Sequence, residues 1–160
     1  MNDKSINDLA SAPKRISIRR ATLADSDDIF RWRNSPIVRE ASFDQREIPL
    51  DDHNRWFQKT IEGSDRELLI AHDDAPIGVL RFDIDGTQAV ISVYLVPDRM
   101  GTGMGSATIA AGVYWLKSER PEVKKVIAQI RTTNQRSQSA FLRAGFVHSG
   151  EDYTFDLTRL

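Results

Sequence analysis

The sequence predicts an α+β fold with a mixed, largely antiparallel sheet that is flanked by helices. Short alternating strand patterns and helical patterns interchange along the 160 residues, and a glycine-rich loop joins the strand before Pro97 to a helix. A chain of this length can bury about 70% of its unfolded surface in one core. We therefore expect residues 16–160 to form a single domain and the polar residues 1–15 to form a flexible tail.

The N-terminal half is predicted to contain one strand and two helices. Residues 16–20 alternate apolar and charged side chains, as a half-buried strand does. Thr22 begins Thr-Leu-Ala-Asp, which resembles a capping box and predicts the start of the first helix. Residues 35–49 indicate a loop with at most one helical turn, and Asp51 or Asp52 is expected to cap the second helix.

Most of the sheet is predicted in the remainder of the chain. The Asp85-Gly86 pair is typical of a hairpin turn between two of the strands. The expected strands are 67–71, 77–84, 88–96, 124–131 and 146–157, and the expected helices run from the glycine loop to about residue 117 and over 137–144.

Composition excludes several classes of function. The 22 basic and 23 acidic side chains give a net charge of −1, so we expect neither a nucleic-acid-binding face nor a polybasic membrane anchor. The absence of cysteine excludes disulfides and thiolate metal sites. No apolar stretch approaches the roughly 20 residues of a membrane span. The expected location is therefore the cytoplasm, without a metal, nucleic-acid or membrane partner.

The most informative stretch is 91–116, in which a strand, a glycine loop and a helix follow one another directly. Glycines occupy positions 101, 103 and 105 of the loop. Glycines allow the backbone to approach an anion closely, and the free N–H groups and dipole of a helix N-terminus favour negative charge. This order of elements predicts a phosphate cradle.

Two motifs make the chain resemble the GNAT superfamily, the Gcn5-related acyl-CoA-dependent N-acetyltransferases. Residues 100–105, MGTGMG, are similar to the family's Gln/Arg-x-x-Gly-x-Gly/Ala pyrophosphate loop. Asn134 and the later run 141–146, FLRAGF, are similar to the family's Asn and Tyr-x-x-x-Gly-Phe helix. The resemblance covers about residues 16–158. It departs from the family where Met100 replaces Gln or Arg and where Phe141 replaces the Tyr that protonates the leaving thiolate.

The resemblance implies that acetyl-CoA is the co-substrate. Pantetheine would lie between two parallel strands that splay apart, 91–96 and 126–131. Backbone groups of Tyr94, Leu95 and Val96 would pair with it, and the Leu95 N–H would face the thioester oxygen as the oxyanion donor. The other expected cofactor contacts are Arg99, Met100, Gly101, Gly103, Met104, Gly105, Ser106, Asn134, Ser137 and Phe141.

Neither of the family's usual proton-transfer groups is present. Val90 occupies the position of a common Glu, and Phe141 replaces the Tyr. A primary amine with a pKa near that of an α-amino group, about 8, is roughly one tenth neutral at pH 7, so water and positioning can serve instead. The side-chain candidates for catalysis are His53 and Tyr94, followed by Asp83.

Two clusters in the N-terminal half indicate where the acceptor binds. Arg33, in Trp-Arg-Asn, suits a phosphate or carboxylate, whereas Trp56 suits stacking on a flat ring. His53 lies three residues before Trp56 and shares its helix face. These clusters are similar to a GNAT branch that acetylates the 4-amino group of UDP-linked amino-deoxy sugars, as in pseudaminic acid synthesis. That resemblance implies acceptor contacts from Arg33, His53 and Trp56, and Tyr94 is a further candidate for acceptor binding.

Three functions remain open at this stage. The first is acetylation of a small-molecule amine, namely a nucleotide-linked amino-deoxy sugar, which requires Arg33 or Arg39 to be accessible. The second is acetylation of a protein N-terminus or ribosomal protein, as in the Rim-type branch. The third is a degenerate domain that binds acyl-CoA as a sensor. The missing Tyr and Glu roles and Met100 support the sensor, whereas Gly103, Gly105 and Asn134 indicate that CoA binding is retained. We favour the enzyme, and a homodimer is possible.

Overall fold

The computed structural model describes residues 15–160, and residues 1–14 lie outside the described part. The predicted tail over residues 1–15 therefore falls almost wholly outside it.

One mixed sheet runs through the described residues. Its seven strands follow the order β1-β2-β3-β4-β5-β7-β6, and only the β4–β5 pair is parallel. This confirms the predicted mixed sheet with helices around it. The strands are β1 Ser17–Arg20, β2 Arg66–His72, β3 Pro76–Asp85, β4 Gln88–Leu95, β5 Lys125–Ala128, β6 Val147–Ser149 and β7 Asp152–Asp156.

Five α-helices connect these strands. The sheet lies between two helical layers, because alternate residues of each strand point to opposite faces. The helix that follows the glycine loop buries Ile109 and Val113 on one face. The first and third helices bury Ile29 and Phe57 on the other face. The helices are α1 Ser26–Arg33, α2 Pro36–Ala41, α3 Leu50–Glu62, α4 Gly105–Glu119 and α5 Gln135–Arg143.

The capping box at the first helix is confirmed, although the helix starts with a 3₁₀ turn, Leu23–Asp25. The backbone N–H of Thr22 donates to Asp25 Oδ2 at 2.8 Å. The Asp25 carboxylate also accepts two hydrogen bonds from the Arg19 guanidinium, at 2.8 and 2.9 Å. The same carboxylate thus caps the 3₁₀ turn that leads into α1 and links this turn to β1.

Two expectations for the N-terminal half were wrong in detail. Pro36 begins a six-residue helix within the predicted loop, because its fixed φ and missing N–H suit the first helical position. Neither Asp51 nor Asp52 caps α3, which begins at Leu50 with no side-chain cap. Asp52 instead pairs with Arg55 one turn further on.

The C-terminal strand predicted over 146–157 is a hairpin. Ser149 pairs with Asp152 across a two-residue turn, and Gly150 adopts a φ of +62° there. A left-handed conformation of this kind favours glycine and reverses the chain. Within residues 15–160, no helix is both long and apolar enough to cross a membrane.

Candidate active site

An opening between β4 and β5 forms the centre of the candidate site. The parallel pairing runs only from Gln88–Lys125 to Ile91–Ala128, whereas β4 continues to Leu95. The strand predicted to reach residue 131 stops at Ala128, because pairing with β7 on its other side ends at the same residue. The two strands therefore separate beyond Ile91, as the predicted splay requires.

The amide of Leu95 points into this opening. The Val96 N–H donates to the Ile77 carbonyl at 2.8 Å across the β3–β4 edge. In an antiparallel pair, successive residues direct their N–H groups to opposite edges of the strand. The N–H of Leu95 is therefore directed towards β5, where the sheet is open.

The glycine loop lies at the end of β4 and is shaped to receive a phosphate. Gly101 and Gly103 have φ values of +78° and +79°, and a Cβ atom on either would meet no protein atom within 4 Å. Gly105 begins the 15-residue helix α4, and Ser106 follows it. The open space beside these glycines lies next to the positive end of the helix dipole, an arrangement that fits a CoA pyrophosphate.

Arg99 and Met104 flank the loop and contact each other. The Arg99 guanidinium makes two hydrogen bonds to Asp73 in the β2–β3 turn, and its Nη1 lies 3.4 Å from Met104 Sδ. The Arg99 guanidinium, which was predicted to contact the cofactor, is thus paired with the Asp73 carboxylate. Met100 joins a short 3₁₀ turn to the loop, and its side chain carries no charge that could pair with an anion.

Asn134 lies across the opening from the glycine loop. Its Oδ1 accepts a hydrogen bond from the Ser137 N–H at 3.1 Å and so caps α5. Its Nδ2 donates to the Ala41 carbonyl at 3.5 Å, and Arg131 Nη1 donates to the Glu40 carbonyl at 2.9 Å. These bonds tie the C-terminal end of α2 to the β5–α5 loop.

Phe141 on α5 belongs to the core. It is 4% exposed and meets Phe146 edge-to-face, with the ring centroids 4.9 Å apart. Its ring carries no polar group, so it supplies no proton at this position.

Three hydrogen-bond donors meet on the other face of the sheet, towards α1 and α3. Arg33 Nη1, Arg81 Nε and Tyr94 Oη are buried and have no hydrogen-bond partner among the described residues. Burial raises the pKa of Tyr94 and lowers that of Arg33, and the nearby charges of Arg81 and Arg39 lower the Arg33 pKa further. The Arg81 guanidinium lies 5.9 Å from the centroid of the Trp56 ring.

Arg81 is the site residue that sequence reasoning missed. It faces α1 and α3 because Val79, Arg81 and Asp83 alternate with the residues that face α4. The available signal was the pair of charges, Arg81 and Asp83, inside the otherwise apolar run 77–84. Asp83, the weaker catalytic candidate, pairs with Arg81 at 3.1 Å and with Arg66 at 3.2 Å.

His53 lies between α1 and α3, with only 3% of its surface exposed. Its Nε2 is 3.0 Å from both the hydroxyl and the carbonyl oxygen of Ser26. Its ring packs against Phe30 and Trp56, with centroid distances of 5.1 and 6.0 Å. Burial lowers the pKa of His53. His53 therefore contacts Trp56, but its Nε2 is already within hydrogen-bond distance of Ser26.

The family model described as an acetyltransferase (GNAT) domain matches residues 15–147. The chain belongs to the GNAT acetyltransferase family. A search of curated proteins finds no match.

Solved structures share the fold of this GNAT chain at low identity. Spermidine N-acetyltransferase from Vibrio cholerae, in complex with CoA and spermine, has a TM-score of 0.81 at 14% identity, over 89% of this chain and 96% of that one. The aminoglycoside acetyltransferase AAC(6')-Ib, in complex with coenzyme A and kanamycin, has a TM-score of 0.77 at 20% identity, over 89% and 95% of the two chains. A domain from Methanocaldococcus jannaschii has a TM-score of 0.74 at 20% identity, over 90% and 99%.

Family membership and the shape of the site lead to one reaction. The chain is an acetyl-CoA-dependent N-acetyltransferase that acts on amines. The glycine loop and the β4–β5 opening have the shape that the acetyl-CoA side of this reaction requires. Within residues 15–160, no group of three or more His, Asp or Glu side chains could hold a metal ion.

Proposed function

We propose that this GNAT enzyme acetylates the primary amine of a nucleotide-linked amino-deoxy sugar. The observation that carries the proposal is the set of buried, unpartnered donors on Arg33, Arg81 and Tyr94 within the described part of the chain. A buried donor without a partner costs free energy, so these groups are best explained by an acceptor oxygen that arrives with the substrate. Phosphate oxygens of a nucleotide meet that requirement.

The charge of the cluster also supports an anionic acceptor. Arg39 and Arg81 lie close enough to Arg33 for their charges to lower its pKa. Guanidinium groups bind phosphate through paired hydrogen bonds, and Trp56 beside Arg81 offers an aromatic face for a flat ring. Spermine and kanamycin, which are bound in two of the structural relatives, are polycations that this cluster would repel.

The chain's own groups account for the chemistry. The Leu95 N–H donates to the thioester oxygen as negative charge develops there. The new N–C bond forms while the C–S bond breaks; the amine proton leaves to water, and the departing sulfur takes a proton from water. Tyr94 stays protonated because its pKa is raised, so it acts as a hydrogen-bond donor and not as a base. Ser137 and Asn134 line the CoA arm.

The acceptor contacts are therefore Arg33, Arg81, Trp56 and Tyr94. We assign His53 a supporting role, in which its bonds to Ser26 fix the ring against which Trp56 packs. A cytoplasmic location and a homodimer stay predictions.

Thiol release from acetyl-CoA should be measured with a UDP-linked 4-amino-deoxy sugar, spermidine, kanamycin and an N-terminal peptide. We expect kcat/KM for the UDP-linked sugar to exceed the others by at least about 100-fold, because a polar site rejects acceptors that leave its donors unpaired. Equal or better turnover of a polycation or the peptide would overturn the proposed acceptor. CoA binding without turnover of any amine would instead favour a sensor.

A further inference from the structure

We infer that Asp73, in the turn between β2 and β3, positions the glycine loop for CoA through its ion pair with Arg99. Asp73 lies 26 residues before Arg99 along the chain, on a different loop. The inference concerns the acetyl-CoA side of the site and does not depend on which acceptor is used.

The ion pair has the geometry of a rigid link. Arg99 Nη2 lies 2.6 Å from Asp73 Oδ1, and Arg99 Nη1 lies 3.0 Å from Asp73 Oδ2. Two parallel bonds of this kind fix the direction of the guanidinium as well as its distance. The side chains are only 8% exposed for Asp73 and 23% for Arg99, so water competes weakly for the pair.

Both ends of the link are anchored. Asp73 Oδ1 accepts a hydrogen bond from the Ala75 N–H at 3.1 Å, and the Asp73 N–H donates to the Ala75 carbonyl at 3.1 Å. The Arg99 N–H donates to the Val96 carbonyl at 2.9 Å at the end of β4. The carboxylate is therefore held by a turn of the sheet, and the backbone of Arg99 is held by the strand that carries Leu95.

The link reaches both sides of Gly103. The Arg99 carbonyl accepts a hydrogen bond from the Thr102 N–H at 3.4 Å, and Arg99 Nη1 contacts Met104 Sδ at 3.4 Å. Gly101 and Gly103 are open on their Cα faces and can adopt many conformations. A loop that is ordered before CoA arrives avoids the entropy loss of ordering on binding, which tightens affinity.

A competing role for Arg99 makes the opposite prediction. If Arg99 left Asp73 to bind phosphate directly, Asp73 would compete with CoA, and removing its charge would tighten binding. If Asp73 positions the loop, removing its charge weakens binding. The two roles can be separated because Asp73→Asn keeps the shape of the side chain while weakening the pair.

The test measures the calorimetric Kd of CoA and the melting temperature for wild type, Asp73→Asn, Arg99→Gln, Arg99→Lys and the double variant Asp73→Asn/Arg99→Gln. We expect each single variant to weaken CoA binding about 5- to 10-fold and the double variant to be no weaker than the worse single one, since both changes break one link. Arg99→Lys should weaken binding like Arg99→Gln, because lysine keeps the charge but loses the paired geometry.

Asp28→Asn is the matched control, since it removes an exposed carboxylate paired with Arg31 on α1. Its CoA affinity should equal that of wild type. Tighter CoA binding by Asp73→Asn, near-normal binding by Arg99→Lys, or additive losses in the double variant would each overturn the inference. Unchanged affinity in Asp73→Asn with a lower melting temperature would also overturn it, because the pair would then serve stability alone.

Discussion

Gly78 of β3 lies directly against the backbone of Tyr94 in β4. A Cβ atom on Gly78 would come within 2.8 Å of the Tyr94 carbonyl oxygen, closer than real Cβ contacts allow. Gly78 pairs with Leu95, whose N–H points into the β4–β5 opening. The position of the proposed oxyanion donor is therefore set by the missing side chain on the neighbouring strand.

Replacing Gly78 with alanine should reduce catalysis more than binding. The added methyl group must push the Tyr94–Leu95 backbone away and move the Leu95 N–H from the thioester oxygen. We expect kcat to fall about tenfold or more, with CoA Kd changed much less. Gly112→Ala is the control, because its Cβ would strike Leu80 in the core. That variant should lose about 1–3 kcal/mol of stability and keep kcat at temperatures where it is folded. Equal kcat losses in both variants would contradict this account.

Gly103→Ala should weaken CoA binding beyond its effect on stability. The φ of +79° makes alanine unfavourable by about 1–2 kcal/mol, and the methyl group would also enter the space proposed for pyrophosphate. Gly86→Ala provides a matched control, since Gly86 has a φ of +61° and is equally open but lies in the β3–β4 turn. Both variants should lose similar stability by thermal unfolding, and calorimetry should find a CoA defect in Gly103→Ala alone. Weaker CoA binding in both variants would contradict the placement of the cofactor at this loop.

Arg81→Gln should raise the acceptor KM about tenfold to a hundredfold, because a charged hydrogen bond to phosphate is lost. CoA Kd should stay at the wild-type value. Arg66→Gln is the control, since Arg66 also pairs with Asp83 but is not one of the unpartnered donors. An equal rise in the acceptor KM for Arg66→Gln would contradict anion binding by Arg81. The effect of both variants would then come from the lost ion pair with Asp83.

Tyr94→Phe should make the free enzyme more stable and a poorer catalyst. The Tyr94 hydroxyl is buried without a partner, so its removal should raise the free energy of unfolding by about 1 kcal/mol. The same change removes a donor to the acceptor and should lower kcat/KM. Denaturant unfolding and steady-state kinetics measure the two effects. A destabilised Tyr94→Phe variant would mean that the hydroxyl has a partner in the free enzyme.

His53 should make stability depend on pH on the acid side of neutrality. Because burial lowers the pKa of His53, the unfolded chain binds a proton near pH 6.5 while the folded chain does not. The free energy of unfolding should therefore fall as the pH drops through about 6.5 and should be unaffected by His53 above it. Denaturant unfolding between pH 7.5 and 5.5, the range about the reference pKa, measures this dependence. The slope of the free energy of unfolding against pH should be smaller for His53→Gln than for wild type. A wild-type slope in His53→Gln would contradict this account.

The glycine loop and the strands around it were accessible from the sequence, because they depend on local signals. The expected acetyl-CoA chemistry came from the resemblance of two motifs to the GNAT superfamily. Glycines 101, 103 and 105 follow a strand and precede a helix, which is a pattern of neighbours along the chain. The hairpin at Gly150 carried a similar local signal, a glycine between two β-forming runs, and the prediction of one long strand overlooked it.

The remaining features depend on contacts between distant residues. Asp73 and Arg99 pair across 26 residues, and His53 meets Ser26 across 27, so no spacing along the chain predicted either contact. The sequence analysis assigned no role to Arg81. Its role became apparent only when β3 placed it next to Trp56 and near Arg33.

The most direct test of the proposed acceptor is a crystal structure of the enzyme with CoA and the acetylated UDP-linked amino sugar. We expect diphosphate oxygens about 2.9 Å from the guanidinium nitrogens of Arg33 and Arg81, with the acetamido group at the Leu95 end of the β4–β5 opening. A nucleotide bound away from Arg33 and Arg81, with these donors still unpartnered, would contradict the account.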